Sequence, residues 1–478
     1  MKLKYIPLLL VPVTMIVVTC SENAETKSSK ETLNATAALT WKVPVEIADT
    51  PNATQNDYYD FGWQTFVAIN WPENNAYRGM PDSTLSIGAK DGSGQLLNVV
   101  WEAWKEQYEI FKPSAADPGG WNDGFANSAK QLKELRMFSK FDSDIVTDAF
   151  DEAFAGPLID QDSQYVRYEV RTNESEYDYF HNNHYYNADS QMTAVSNNVF
   201  AGFPKGNDPL SNSLGSWARF GATEVKASWR VFKAGTAASV IERYFHKKAI
   251  LLNTDGKRSD TVDIGLTGMH ILRLTHSTHA TWYWASFEQV DNVQLQKQFG
   301  GTLPAHPAFN PGGGTVYQPN GYSYAGSGSN PPKPINVGQP LPTAIPVNIS
   351  APPFQQTNPQ LDSINMQYNK LLTGTPFQYY QMIGTVNPPV ANGPTFTNTA
   401  GGYPNVVVNT GQMANTTMET YFVKTNCISC HISGYPQAFP ADKSKMDSSS
   451  NDQVFSFLLQ KAETAAGLSV RERMRMKK

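Results

Sequence analysis

Cysteine is scarce in this chain. Only three occur in 478 residues, at positions 20, 427 and 430, too few and too unevenly placed for a disulfide framework. Basic runs are missing as well. Lys and Arg number 38 against 43 Asp and Glu, for a net charge of −5, and no basic patch interleaved with aromatics argues for nucleic acid as a partner. Charged residues make up just 17% of the chain, while hydrophobic residues reach 40% and aromatics 12%. That balance excludes a disordered chain and allows a sizeable core. Beyond residue 18 no stretch approaches the eighteen apolar residues of a spanning helix. There is no internal repeat, no nucleophile elbow and no phosphate loop, since Gly312–Gly314 falls in low-complexity sequence rather than between a strand and a helix.

What is present begins at the N-terminus. Lys2 and Lys4 precede an apolar stretch, Tyr5–Val18, then Thr19 and Cys20, and polar residues follow at once. Residues 1–19 resemble a bacterial lipoprotein signal, although such signals usually carry Gly, Ala or Ser before the cysteine. The expectation is an exported protein, in the periplasm or at the outer membrane, whose acylated Cys20 attaches it to a membrane without crossing it. Residues 20–40 are rich in Ser, Lys, Glu and Thr and read as a flexible tether.

Residues 41–299 read as a mixed α+β region. Helical spacing is expected over Asp57–Asn70, ending at Trp71-Pro72, and over Gln131–Met137. Strands are expected at Ser163–Val170, Glu224–Phe232, Ile264–Leu274 and Thr281–Val290. Residues 300–355 turn Pro- and Gly-rich and lose periodicity, as a surface loop or linker would. From 356 to 478 the pattern is helical again, with Leu361, Ile364, Tyr368, Leu371 and Leu372 on one face. Thr416 with Glu419 and Ser450 with Gln453 offer two capping boxes, so apolar helices should flank residues 427–431. The fold expected is α+β, a mixed N-terminal region carrying a C-terminal cytochrome-c-like helical haem segment.

Residues 427–431 read Cys-Ile-Ser-Cys-His. Two thiols at this spacing match the two vinyl groups of a haem, and the adjacent imidazole falls beneath the iron. The motif therefore predicts one covalent haem c held by Cys427 and Cys430, with His431 as an axial ligand. The rivals are weaker. A thioredoxin-like dithiol wants a helix to begin at the first thiol, a structural zinc wants four ligands, and a disulfide across this spacing is strained.

Around this motif, Asn415–Tyr421 (NTTMETY) resembles a group of largely uncharacterised bacterial cytochrome c family proteins. So do Phe61–Pro72, Glu224–Arg230 (EVKASWR), Gly265–His270 (GLTGMH) and Trp282–Asn292 (WYWASFEQVDN). The resemblance spans most of residues 57–460 and implies a covalent haem and electron transfer. It implies no substrate, and Arg273 stands where such proteins often carry histidine.

Only 47 residues follow His431, and none of their methionines dominates as a sixth ligand. Met446 is one candidate. His270 is another, because a segment as short as Thr416–Gly467 is thin for enclosing a haem and the upstream region should close its far face; another Met or His, or a vacant or water-filled position, stays open. His181 with His184, and His276 with His279, have i, i+3 spacing but no evident third metal ligand. Asp160 with Asp162 and Glu174 with Glu176 read as solvated charges. The function expected is electron transfer with an unidentified redox partner. The alternatives are a peroxidase- or oxygenase-like haem enzyme with an open distal site, and a haem-based sensor.

Overall fold

Helix α1 (Gln55–Ile69) begins where Thr54 and Asp57 form a capping box, the Thr54 amide donating to Asp57 Oδ2 at 2.7 Å. It stops at Asn70, two residues before Pro72, which cannot continue a helix. Ten of its fifteen residues are buried, so it is a core helix rather than a surface one. In the computed structural model these and the following elements belong to one unit, Ala38–Lys478. The residues described are 39–47, 52–125, 132–136, 157–197, 199, 201–205, 220–253, 255–275, 282–293, 307–309, 322–324, 341, 343–344, 346–349, 358–390, 395–398, 406–409, 413–420, 427, 431 and 456–467.

The core is an eight-stranded sheet. Its members are β1 (Lys105–Glu106), β2 (Lys133–Leu135), β3 (Arg167–Thr172), β4 (Thr223–Val231), β5 (His246–Leu251), β6 (Val262–Arg273) and β7 (Tyr283–Gln289). Two short pairs stand apart from it, β8 (Tyr322–Tyr324) with β9 (Val347–Ile349) and β11 (Thr395–Asn398) with β12 (Val406–Asn409). The eighth strand of the large sheet, β10 (Tyr380–Val386), comes from beyond the Pro/Gly-rich stretch and pairs with β7. The remaining helices are α2 (Gln107–Ile110), α3 (Glu174–Asn182), α4 (Ala188–Ser196), α5 (Ala238–Ile241) and α6 (Pro359–Leu371).

The strand order runs β1-β3-β4-β6-β5-β2, antiparallel except where β2 meets β5. Along the edge of β6 away from β4, residues 262–265 pair with β5 and residues 268–273 with β7. Thr267 is an extra residue between the pairs Ser228–Gly268 and Trp229–Leu266, and such a bulge bends a sheet. The bend is large. Lys133 on β2 reaches Glu169 on β3 at 2.6 Å, although three strands separate them in the pairing order. The sheet is therefore curled into a half-barrel.

Both faces of the central strands are covered, which is why β4 and β7 are buried along their whole length. One face takes α1: Phe66 stacks on Phe287 at 4.3 Å, Arg273 donates to Thr65 at 2.8 Å, and Tyr283 donates to the Tyr58 carbonyl at 2.7 Å. The other face takes the C-terminal part of the chain.

Two expectations are corrected here. The segment Gln131–Met137 is not a helix where described; Lys133–Leu135 is a strand, held by parallel pairing with β5 and by the buried ion pairs of Lys133. Nor is there a cytochrome-c-like helical segment at the C-terminus among the described residues. Residues 416–420 form turns, Cys427 and His431 take helical conformation, and Phe457–Lys461 is a 3-10 turn capped by Ser456. Thr416 spends its amide and hydroxyl on Glu288 of β7 instead of capping a helix. This part of the chain is a layer laid on the sheet.

Candidate functional site

The face opposite α1 is built in register. Three successive rows cross β4, β6 and β7: Glu224–Leu272–Trp284, Lys226–His270–Ser286 and Ser228–Gly268–Glu288. The alternation of a strand places these even-numbered residues together and sends Met269, Ile271 and Phe287 to the other side. Sequence alternation is masked here because both faces are buried.

Residues 413–420 dock across the rows. Asn415 Nδ2 donates to Ser286 Oγ at 3.2 Å and to the Phe287 carbonyl at 2.9 Å. Thr417 Oγ1 lies 2.6 Å from Ser228 Oγ and donates to Asn415 Oδ1 at 2.8 Å, while Tyr168 donates to the Thr417 carbonyl at 2.7 Å. Gly268 makes this approach possible, since a Cβ there would stand 2.6 Å from Thr417 Oγ1 and 2.8 Å from Asn415 Oδ1.

His431 settles on the same face. It is 3% exposed and meets two rings edge-on, Trp284 at 5.5 Å and Phe457 at 5.0 Å. Cys427 is half-buried against the core, and it and His431 are each helical. Cys427 thus packs against the core, and the His431 imidazole packs against two aromatic rings. These donors fit a covalent haem, whose proximal imidazole works best in an apolar shell that excludes water. Cys430 lies outside the described residues, as do Cys20 and Met446.

His270 occupies the middle row, diagonal to Trp284. Its Nε2 faces Glu419 Oε2 at 3.4 Å, and the same oxygen accepts the Asn415 amide at 2.8 Å. The carboxylate therefore orients both the docked segment and the histidine. Burial pushes the Glu288 carboxyl up to about 7 against the opposing bonds from Thr416. Ser456, next to Phe457, donates to Glu224 Oε2 at 2.7 Å.

His181 and His184 do not form a paired site. His181 closes α3 and stacks on Tyr177, whereas His184 lies past the helix end at φ 54° and is exposed, so the two do not share a helical face. His276 and His279 lie outside the described residues. No group of three or more His, Cys, Asp or Glu able to hold a metal ion occurs among the described residues.

Several buried charges were not legible as such. Asp160 is fully buried and takes Arg230 at 3.2 Å, although Asp162 beside it is partly exposed. Glu176 is fully buried as well, against the expectation of a solvated charge. Its spacing from Tyr177 and Phe180 on a polar-looking helix offered no signal, because the burial comes from contact with β4. On the α1 side of the sheet, Lys133, Lys247, Arg78 and Arg171 are paired with Glu102, Glu109 and Glu169 around an open cavity of about 620 Å³. Those charges satisfy one another, and the cluster ties β2, β3 and β5 together. Arg273 is buried and spent on Thr65 and the Pro44 carbonyl, a structural role.

No family model, curated protein or solved structure matches this chain.

Proposed function

We propose that the chain is an exported, lipid-anchored, monohaem c-type cytochrome that carries out electron transfer, with haem joined to Cys427 and Cys430 and His431 as an axial ligand. One observation carries this reading: the imidazole of a Cys-x-x-Cys-His motif is buried between Trp284 and Phe457 rather than turned to solvent. The haem supplies a one-electron ferric/ferrous couple. The two aromatic rings exclude water from the imidazole and hold its plane, and the docked Asn415–Thr420 segment anchors the motif to the sheet. His270 and Met446 are the candidate sixth ligands. The resemblance of five separate segments to bacterial cytochrome c family proteins supports the same function.

Denaturing gel electrophoresis tests it. The mature protein should keep its haem through denaturation, and Cys427→Ala or Cys430→Ala should reduce or abolish that retention. A wild-type protein that sheds all haem when denatured would sink the reading. Attachment to the membrane is tested separately. Among the described residues no helix is long and apolar enough to span a bilayer, and the proposal assigns anchoring to acylated Cys20, whose chains carry enough methylenes for stable attachment. Cys20→Ala should move the protein from the membrane fraction to the soluble exported fraction. An unchanged membrane fraction would assign the anchoring elsewhere.

A further inference from the structure

Glu176 on α3 is a carboxyl with no exposed surface, and neither of its oxygens has a hydrogen-bond partner. A bare carboxylate in such a place would cost several kcal/mol, so the group is expected to hold a proton. Its charged neighbours are Glu224 and Lys226, both on β4. Burial first, and then the charge of Glu224, raise its proton affinity well above the ordinary carboxylate range, while Lys226 opposes them. Glu224 is itself fully buried. One of its oxygens accepts from Ser456 at 2.7 Å and the other faces Lys226 at 3.7 Å. The other acids nearby look elsewhere: Glu174 and Asp178 on the same helix act on each other, and Glu463 of the terminal segment accepts the Ser114 amide. Two buried carboxyls thus share one lysine, and one of them has no other partner.

This pair lies close to His431. Ser456 joins Glu224 to Phe457, whose ring packs on the His431 imidazole. Glu224 and Trp284 sit in one row of the sheet with Leu272 between them, a separation of about 10 Å for two strand spacings. Charge added at His431 acts on the pair through protein rather than water, where Coulomb forces are strong.

We propose that Glu176, buried against Glu224 and Lys226 of β4, takes up a proton when the site held by His431 accepts an electron. This rests on the proposed covalent haem. The electron comes from a one-electron donor, the proton comes from solvent, and it forms an O–H bond on a Glu176 carboxyl oxygen. No other bond changes. Reduction adds negative charge near Glu176 and raises its proton affinity, so the reduced protein binds the proton up to a higher pH than the oxidised one. Between those two limits the midpoint potential must fall as pH rises, and outside them it must be flat.

The test is potentiometric titration of the intact haem-loaded chain at a series of pH values, beside Glu176→Gln and Glu224→Gln. The wild type should show a sloping region whose steepness approaches one proton per electron. Glu176→Gln, a neutral isostere that suits the buried position, should abolish or shift it, and Glu224→Gln should move it to a different pH. A second readout does not need haem. Infrared spectra of Cys427→Ala protein should contain a protonated-carboxyl band that Glu176→Gln removes. A flat potential in a wild type with covalent haem would overturn the proposal, as would a slope unchanged in both variants. A chain without covalent haem would instead overturn the proposed function, and the infrared band would still report the buried proton.

Discussion

Alanine at Gly268 is expected to lower the stability of the chain by about 3 kcal/mol and, on the proposed function, to cut its haem loading at the same time. The added Cβ would stand 2.6 Å from Thr417 Oγ1, 2.8 Å from Asn415 Oδ1 and 3.0 Å from Ser228 Oγ. All three are ends of side chains, which elsewhere could swing aside. Here they are committed to one another and to Ser286, Phe287 and Thr267. To make room, the segment must lift off β6, and buried donors and acceptors then lose partners at about 1–3 kcal/mol each. Lifting residues 415–417 also disturbs the path into Cys427 and His431, so a methyl group on a distant strand should reach the haem motif. Thermal melting and haem staining of the same preparations measure both effects. Thr417→Ala removes the nearest clash and should restore part of the loss when combined with Gly268→Ala. If Gly268→Ala melts like the wild type and carries full haem, residues 413–420 do not anchor the motif in this way.

The sequence made the elements of this site legible one at a time, but not their meeting. Helix α1 was readable from its helical spacing and its stop at Trp71-Pro72, and α6 because Leu361, Ile364 and Tyr368 recur on one face, which is buried; the caps at Thr54 and Asn358 emerge from the structure. Strands β4, β6 and β7 were readable from β-branched and aromatic content. Their pairing was not, since parallel and antiparallel neighbours leave the same local pattern. The five segments of the family resemblance turn out to lie on or against these three strands, with residues 415–420 across one face and α1 on the other. The helix expected over 131–137 and the helical C-terminus failed for one reason. Local propensity was overruled by long-range polar contacts, Lys133 to Glu169 in one case and Thr416 to Glu288 in the other. Buried charge was least legible of all. Glu176, Lys133 and Glu169 are residue types usually found on the surface, and only the curled sheet encloses them.

Removing the charge of Lys133 is the other change expected to have a large effect, because its ammonium bridges two buried carboxylates, Glu169 and Glu102. Its ammonium lies 2.6 Å from Glu169 and 3.1 Å from Glu102, and over the rings of Trp229 at 4.7 Å and Trp101 at 5.0 Å. The side chains of all three charged residues are at most 8% exposed. Burial alone would raise the Glu169 carboxyl; Lys133 and Arg171 outweigh it and hold the group down to about 2. Lys133→Ala leaves Arg171 beside Glu169 and Lys247 beside Glu102, so it should cost about 2–3 kcal/mol, less than the ~3–5 kcal/mol of a fully orphaned buried charge, with lost contact to the indoles included. Urea unfolding measures it. The pH dependence gives a second signature. Glu169 binds fewer protons folded than unfolded, so its contribution is fully present above the ordinary carboxylate value and is lost as pH falls from about 4.5 toward 2. Lys133→Ala should weaken that acid-side loss, because of the two cations only Arg171 then remains to hold the Glu169 carboxyl down. Adding Glu169→Gln to Lys133→Met should recover stability relative to Lys133→Met alone, since the uncompensated charge is gone. A Lys133→Ala protein within about 1 kcal/mol of the wild type at neutral pH, with its acid slope intact, would mean that the curl of the sheet does not depend on this cluster.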